Sequence, residues 1–565
     1  MAINGATPPT TPVDFSHHLN RKSKARHPSP LKDIIKYMNV EGMISLAGGL
    51  PHPSTFPLQQ ATFDCLAPSA SISSDSANSP DDIVSLTLGR GASPGDLDLT
   101  EFLQYGSGTG NSTLVSTCRA LTEKVHAPPA EYDCLQHPGN TNAWAKVVGM
   151  LCEDDDFVIV EEYTYPSAQA LWIPLGIRAV PVPADAQGIQ AEKLRHLLST
   201  WDENVRGARR PRVIYLVGVG SNPTGITISP ERRKEIYDVC VEFDIIIVED
   251  DPYYFLQYPS YTPASTRQTT PFTPLPTPTF LQTLIPSFLS LDTQSRVIRL
   301  ESFSKTLFPG LRLGYFIAHP VFIERLLRAT EVETQDPAGL SQAFVLGLLN
   351  KWGVDGYLEW LQRLQNEYRV RRDWIVDAFH EQFVVLPANE SPVPSAQGLV
   401  ACLATTTTTT TTTTTDGTSG ARELKPIFSF VDPGAGMFIW CKFYFGEIPR
   451  FVELRGASKK KIDSREQEDP EQAFATELWK AWADELVLLT PGSYYHPWQG
   501  ADKVTTSARG ADAGTAHFRF SFATPTVRFS FIFAFSFSLF LFFFQPWDRF
   551  ATSYDSIHGL CWLTM

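Results

Sequence analysis

From about residue 112 to residue 350, short apolar runs alternate with stretches of helical periodicity. Phe157–Val160, Val213–Val217 and Ile245–Val248 are short, apolar and rich in β-branched residues, and Val297–Leu300 shares the pattern apart from Arg299. That pattern predicts strands buried on both faces of a mostly parallel sheet, with the helical stretches as crossovers. From Gly356 to Phe379, Leu358, Leu361, Leu364, Tyr368 and Trp374 recur along an amphipathic pattern, which predicts a helix bridging two domains. A second α/β region opens at Gly434-Ala435-Gly436-Met437-Phe438-Ile439-Trp440.

The remaining stretches divide the chain. Residues 1–27 are polar and predict a flexible arm, followed by an N-terminal segment of the small domain over 28–66. Residues 67–98 are Ser/Asp/Pro-rich and predict a loop. The large domain is expected over 99–350, with a Pro/Thr-rich insertion at 259–290. The interdomain helix and C-terminal small domain are expected over 351–526, with an exposed poly-Thr loop at 405–415. The stretch 527–565 departs from this pattern. Its run from Val527 to Phe544 is almost all Phe, Ser, Leu, Ile and Ala, near the length of a membrane span. Its low-complexity Phe/Ser character and the abrupt change after Pro525 favour translation through non-coding sequence over a membrane anchor or an aggregation-prone or buried strand pair.

Composition narrows the function classes. The chain has 565 residues, is 43% hydrophobic and 19% charged, and carries a net charge of −14. Its length implies more than one domain. Its acidity gives no general attraction to nucleic acid or to an anionic membrane. The eight cysteines are scattered without a CxxC pair, which fits reduced thiols and neither a disulfide framework nor a zinc site. The expected compartment is the cytoplasm. The cluster Arg21-Lys22-Ser23-Lys24-Ala25-Arg26 keeps a mitochondrial presequence as the alternative.

Candidate chemistry lies at the ends of the predicted strands. Lys305 stands in Ser302-Phe303-Ser304-Lys305-Thr306 and is followed by Arg312 in Gly310-Leu311-Arg312-Leu313-Gly314. Most lysines are solvated surface charges. Two hydroxyls and an arginine around this one make a phosphate cradle, and a lysine beside such a cradle can hold an aldehyde cofactor as a Schiff base. Glu249-Asp250-Asp251-Pro252-Tyr253 follows a strand, where carboxylates point into the crevice in which α/β proteins bind ligands. Ser221-Asn222-Pro223-Thr224-Gly225 reads by itself as a turn, and Asn140 and Thr141 read as a helix start that also suits an anion. Arg519, in Phe518-Arg519-Phe520-Ser521-Phe522, alternates with apolar residues and needs an anion if buried.

In chain order, SLAGGLP (45–51), LQYGSGTG (103–110), SNPTG (221–225), EDDPYYF (249–255), SFSKTLFPGLRLGY (302–315), GAGMFIW (434–440) and FRFSF (518–522) resemble the fold-type I aminotransferases that use pyridoxal 5'-phosphate. Within that group the motifs are most similar to the fungal aromatic amino acid and kynurenine/α-aminoadipate aminotransferases. The resemblance covers about residues 28–525 and implies a three-layer αβα large domain with a smaller α/β domain. It implies transamination of an aromatic, kynurenine-like or 2-aminoadipate-like amino acid with a 2-oxo acid such as 2-oxoglutarate, ping-pong through pyridoxamine phosphate, in a homodimer. Lys305 would be the Schiff-base lysine and proton carrier. Asp250 would pair with the pyridine nitrogen, Asn222 and Tyr253 with the ring hydroxyl, and Tyr165 would pack on the ring. Asn140, Thr141, Ser302, Ser304 and Arg312 would hold the phosphate, joined by Tyr105 from a second subunit. Arg519 would bind the substrate carboxylate, Gly49 would let the N-terminal segment close, and Lys32 would face the substrate side chain.

Two departures stand out. Lys32 occupies a position where some relatives carry arginine, which keeps the charge and loses the fork. The stretch from Val527 replaces a helix that completes the small domain in the family, so support for Arg519 is the open question. The alternatives are a protein of this fold inactivated by its C-terminus and a lyase or decarboxylase using the same cofactor. A regulator with an aminotransferase-like domain would need a DNA-binding domain before Arg26, and that segment is too short for one.

Overall fold

The computed structural model describes residues 13–28, 30, 37, 40–44, 46–47, 49–72, 79–91, 97–268, 271–405, 423–460, 469–497 and 505–524. Lys32, the poly-Thr run beyond Thr405 and the stretch from Pro525 onward lie outside the described residues.

The chain opens with an antiparallel hairpin, β1 (Gln60–Leu66) and β2 (Ile83–Gly89), paired from Gln60↔Gly89 to Leu66↔Ile83. The large domain holds β3 (Asp133–His137), β4 (Phe157–Glu161), β5 (Arg178–Val182), a short hairpin of β6 (Ala184–Asp185) and β7 (Gly188–Ile189), β8 (Val213–Leu216), β9 (Ile246–Asp250), β10 (Val297–Ser302) and β11 (Gly314–Ala318). Its seven-stranded sheet has the order β3-β11-β10-β9-β8-β4-β5. Neighbours from β5 to β10 are parallel, and β11 is antiparallel to both β10 and β3. Residues of β4, β8, β9, β10 and β11 are buried throughout, including the charged Glu161, Glu249, Asp250, Arg299 and Glu301 within them. Alternate residues of β9 enter different cores: Ile246 and Val248 one, Ile247 the other. Helices cover both faces, which gives the expected αβα layers.

A helical span from Gly339 to Gln382 leads to the small domain and is kinked at Gly353, whose φ of 67° is left-handed. The small domain carries β12 (Val384–Pro387), β13 (Leu399–Thr405), β14 (Glu423–Phe430), β15 (Phe438–Tyr444), β16 (Thr490–Pro491) and β17 (Thr515–Ser521). Its six-stranded antiparallel sheet has the order β12-β13-β14-β15-β17-β16. Phe428, Ile439, Phe443, Phe518 and Phe520 join one core with Trp144 and Val248, so the two domains share buried apolar surface.

Two stretches differ from expectation. Residues 13–28, expected within a flexible arm, are packed: Phe15 is fully buried, 5.6 Å from the Phe322 ring. The Asn20 amide donates to the carbonyls of Gly149 (3.0 Å) and Cys152 (2.6 Å), so a single aromatic and one amide anchor a polar segment. The stretch 67–98, expected as a loop, contains β2, where Leu86 and Leu88 are buried against the helix that begins at Gly339. Their alternation with Ser85 and Thr87 is a strand signal inside a polar composition. The Pro/Thr-rich stretch at 259–290 contains a helix, Thr277–Thr283, that buries Phe280, and Arg267 is paired with Asp377 at 2.8 Å.

Candidate active site

The carboxyl ends of the parallel strands and the segments just beyond them meet the small domain around a cavity of about 340 Å³. Asp250 comes from the end of β9, Ser302 from the end of β10, Asn140 and Thr141 from the helix after β3, Tyr165 from the segment after β4, and Asn222 from the turn after β8. Ser304, Lys305 and Arg312 follow β10, Tyr253 follows β9, and Arg519 enters from β17. This is the crevice where open α/β sheets bind ligands.

The acidic run after β9 is sorted by strand alternation. The buried Asp250 carboxylate accepts from the Tyr215 hydroxyl at 2.6 Å and from the Asn140 amide at 2.6 Å. Glu249 and Asp251 face an internal ion cluster instead. Glu249 takes Arg233 at 3.0 Å and Arg299 at 2.8 Å, while Arg299 also meets Glu301 at 2.6 Å and Asp251 at 3.5 Å. Glu301 in turn lies 3.2 Å from His126. These paired charges beneath the cavity leave Asp250 as the acid that lines it.

At the opposite wall, the Arg519 guanidinium donates to Asn222 Oδ1 at 2.8 Å and Thr490 Oγ1 at 3.3 Å. It lies 4.3 Å from the centre of the Phe438 ring and 5.3 Å from that of Tyr495. Its buried Nε has no partner, and Arg519 has no carboxylate partner among the described residues. Burial lowers its pKa, so an anion here would relieve a desolvated charge. Burial lowers the pKa of Lys305 too, and the positive charges of Arg312 and Arg519 add to the effect. A lowered pKa enlarges the fraction of neutral, nucleophilic amine. Burial pushes the Asp250 carboxyl up against the stabilising bonds from Tyr215 and Asn140. A cation opposite it would hold it ionised.

The remaining polar groups form one corner. Arg312 donates to Ser304 Oγ at 3.2 Å and to the carbonyls of Pro309 and Pro138 at 3.1 and 3.3 Å. The Ser304 N–H donates to Ser302 Oγ at 3.1 Å. The helix Asn140–Leu151 starts here, so its dipole and first N–H groups favour an anion. Gly139, with φ 97°, lets the guanidinium close on the chain: a Cβ there would lie 2.0 Å from an Arg312 nitrogen.

Of the residues singled out from sequence, Asn140, Thr141, Tyr165, Asn222, Asp250, Tyr253, Ser302, Ser304, Lys305, Arg312 and Arg519 line this one cavity. Gly49 and Tyr105 do not; both are exposed, and the role expected of Tyr105 requires a neighbouring chain. Sequence reasoning missed Trp144, Tyr215 and Phe438, which complete the walls. Each sits in an apolar helix or strand and reads as core. A polar tip on a buried strand is the one signal that could have raised Tyr215.

A half-buried lysine shares the cavity with a lone acid, a polar anion corner and an arginine without a carboxylate partner among the described residues, a set that suits a carbonyl cofactor with a phosphate handle. The chain belongs to the aminotransferase class I and II family, which it matches over residues 100–496. It is 37% identical to an aromatic amino acid aminotransferase of Schizosaccharomyces pombe, over 76% of this chain and 82% of that protein. It is 34% identical to the L-tyrosine:2-oxoglutarate aminotransferase of Tapinella panuoides, over 80% of this chain and 79% of that protein. The crystal structure of aminotransferase Aro8 from Candida albicans superposes with a TM-score of 0.74 at 32% identity, covering 91% of this chain and 96% of that one.

The family cofactor is pyridoxal 5'-phosphate, and the residues present fit it. Gly139 lets Arg312 close on the helix start to form an anion corner, Asp250 is an acid whose burial calls for a cation, and Lys305 has no hydrogen-bond or carboxylate partner among the described residues.

Proposed function

We propose that this chain transfers the amino group of an aromatic amino acid to a 2-oxo acid such as 2-oxoglutarate, at the cavity that holds Lys305. The aromatic amino acid and tyrosine aminotransferases to which it is similar support the substrate class. The observation that carries the reading is that Lys305, whose pKa burial lowers, lines one cavity with the Asp250 carboxylate and the Arg519 guanidinium. When bound, pyridoxal phosphate supplies the electron sink that lets the substrate's α-proton leave.

The chain's own residues do the rest. Lys305 would hold the cofactor through its aldehyde and, when free, its Nζ would carry the proton that amino-group transfer requires. Asp250, oriented by Tyr215 and Asn140, would pair with the ring nitrogen. Asn222 and Tyr253 would bind the ring hydroxyl, and Tyr165 would pack on the ring. Asn140, Thr141, Ser302, Ser304 and Arg312 would hold the phosphate. Arg519 takes the α-carboxylate as a bidentate pair and fixes the substrate's orientation. Two copies of the chain form the enzyme, with Tyr105 of each serving the other's phosphate; its exposure in the single chain suits that role. The free thiols of the described residues support a reducing compartment, and we place the protein in the cytoplasm.

The visible spectrum of the purified chain tests this. The band of the lysine-bound cofactor should disappear on adding phenylalanine or tyrosine and return with 2-oxoglutarate. A band that no amino acid moves would sink the proposal.

A further inference from the structure

A second cavity of about 330 Å³ lies beside the first, between the large domain and the outer face of the β15–β17 pair. Neither Lys305 nor Arg519 lines it. One wall is aromatic: Trp440 stacks on His517 with centroids 5.1 Å apart and planes at 10°, and the Tyr163 ring lies 5.0 Å from Trp440 and 5.2 Å from His496. Burial lowers the pKa of both His496 and His517, so these rings are neutral at pH 7 and behave as aromatic surface. The buried Trp440 Nε1–H has no acceptor among the described residues.

The other wall carries both signs of charge. Glu162, Lys442 and Arg509 all line the cavity, and burial pushes the Glu162 carboxyl up while the charges of Arg509 and Lys442 pull it down. Lys442 is paired with Asp512, and Arg509 donates to Thr506 Oγ1 at 3.2 Å. An aromatic wall facing two cations and the carboxylates of Glu162, Glu471 and Asp512, the last already paired with Lys442, offers both signs of charge to a planar side chain on a zwitterion.

We propose that this second cavity is a regulatory site for a free aromatic amino acid, with its ring against Tyr163 and Trp440, its carboxylate toward Arg509 and Lys442, and its ammonium toward Glu162. Backbone shared by the two cavities would couple them. Tyr163 and Tyr165, Thr224 and Asn222, and His517 and Arg519 are pairs two residues apart, in which the first lines the second cavity and the other lines the active site. The occupant touches both domains and therefore favours the arrangement in which Arg519 meets Asn222.

The test counts ligands. The cofactor-loaded full chain is reduced with borohydride, which fixes the cofactor on Lys305 and stops turnover, and is then equilibrated by dialysis with labelled L-phenylalanine. A site that depends on Arg509 is expected, on top of any binding at the active site. Arg509→Ala should weaken that component about tenfold or more, and Trp440→Phe, which keeps a ring and removes the N–H, by about fivefold. Both variants should show the wild-type cofactor band, which reports folding and the Lys305 chemistry independently of the second cavity. Binding unchanged by either substitution overturns the proposal. If Arg509→Ala does not fold, Trp440→Phe carries the test alone. Absence of the band in the wild type counts against the active-site reading and leaves the dependence on Arg509 to decide the second site.

Discussion

The two walls of the active site are built differently. On the large-domain side every group stands at or just beyond the end of a buried strand, and Asp250 is held by two hydrogen bonds of 2.6 Å above a paired ion cluster. On the small-domain side the substrate wall depends on Arg519, whose side chain is held by one amide and one threonine hydroxyl. The first wall is over-determined and suits a cofactor that stays. The second is under-satisfied and suits an anion that comes and goes, because its buried guanidinium gains a partner only when one arrives.

Lys305→Ala should have the largest effect. It removes both the covalent anchor and the proton carrier, so turnover should fall by about 10⁴-fold or more, with loss of the visible band. Arg519→Ala attacks the opposite wall. It should lower kcat/KM for amino acids by about 10²-fold, the scale of a lost buried charge pair, while the band survives; loss of the band would mean that the two walls are not separable.

Tyr215→Phe asks how over-determined the first wall is. Asn140 still holds Asp250, so kcat should drop only about tenfold, the scale of one hydrogen bond to a charged group, without a change in KM. A drop as large as that of Lys305→Ala would refute the idea of redundancy.

Glu161→Gln should have the smallest effect on rate and should show itself in stability. Glu161 is buried beside the turn that carries Asn222, its carboxylate accepts from Ser221 Oγ at 2.8 Å, and burial raises its pKa to about 7. An acid raised above its unfolded value of 4.5 stabilises the fold while protonated, and that contribution fades as pH rises from 4.5 to about 7. Thermal melts across this range should lose part of their downward slope in the glutamine variant. An unchanged slope would show that Glu161 is not the titrating group.

Much of the first wall was legible in the sequence because buried parallel strands are unbroken apolar runs, and the residues just past their carboxyl ends turn polar. Lys305, Asp250 and Asn222 all fall at such transitions. The run Glu249-Asp250-Asp251 shows the limit. Pairing of its two outer acids depends on Arg233 and Arg299, which are distant in sequence, so nothing local says which acid each would meet. Trp144 and Tyr215 were hidden for the opposite reason: a residue that is both core and cavity wall has the pattern of core alone. Phe15 and β2 were hidden by the polar composition around them.

The position of β17 has a consequence for synthesis. This strand leaves the ribosome after every other described strand, yet it lies between β15 and β16 and pairs with β15 from Phe438↔Ser521 to Tyr444↔Thr515. The lysine, the ring acid and the anion corner are all translated earlier. A nascent chain stopped before residue 515 would carry the groups of the large-domain wall without the arginine of the other. Arg519, the group proposed to orient an amino acid, is thus the last made of the described residues that line the cavity, and an interrupted product lacks it.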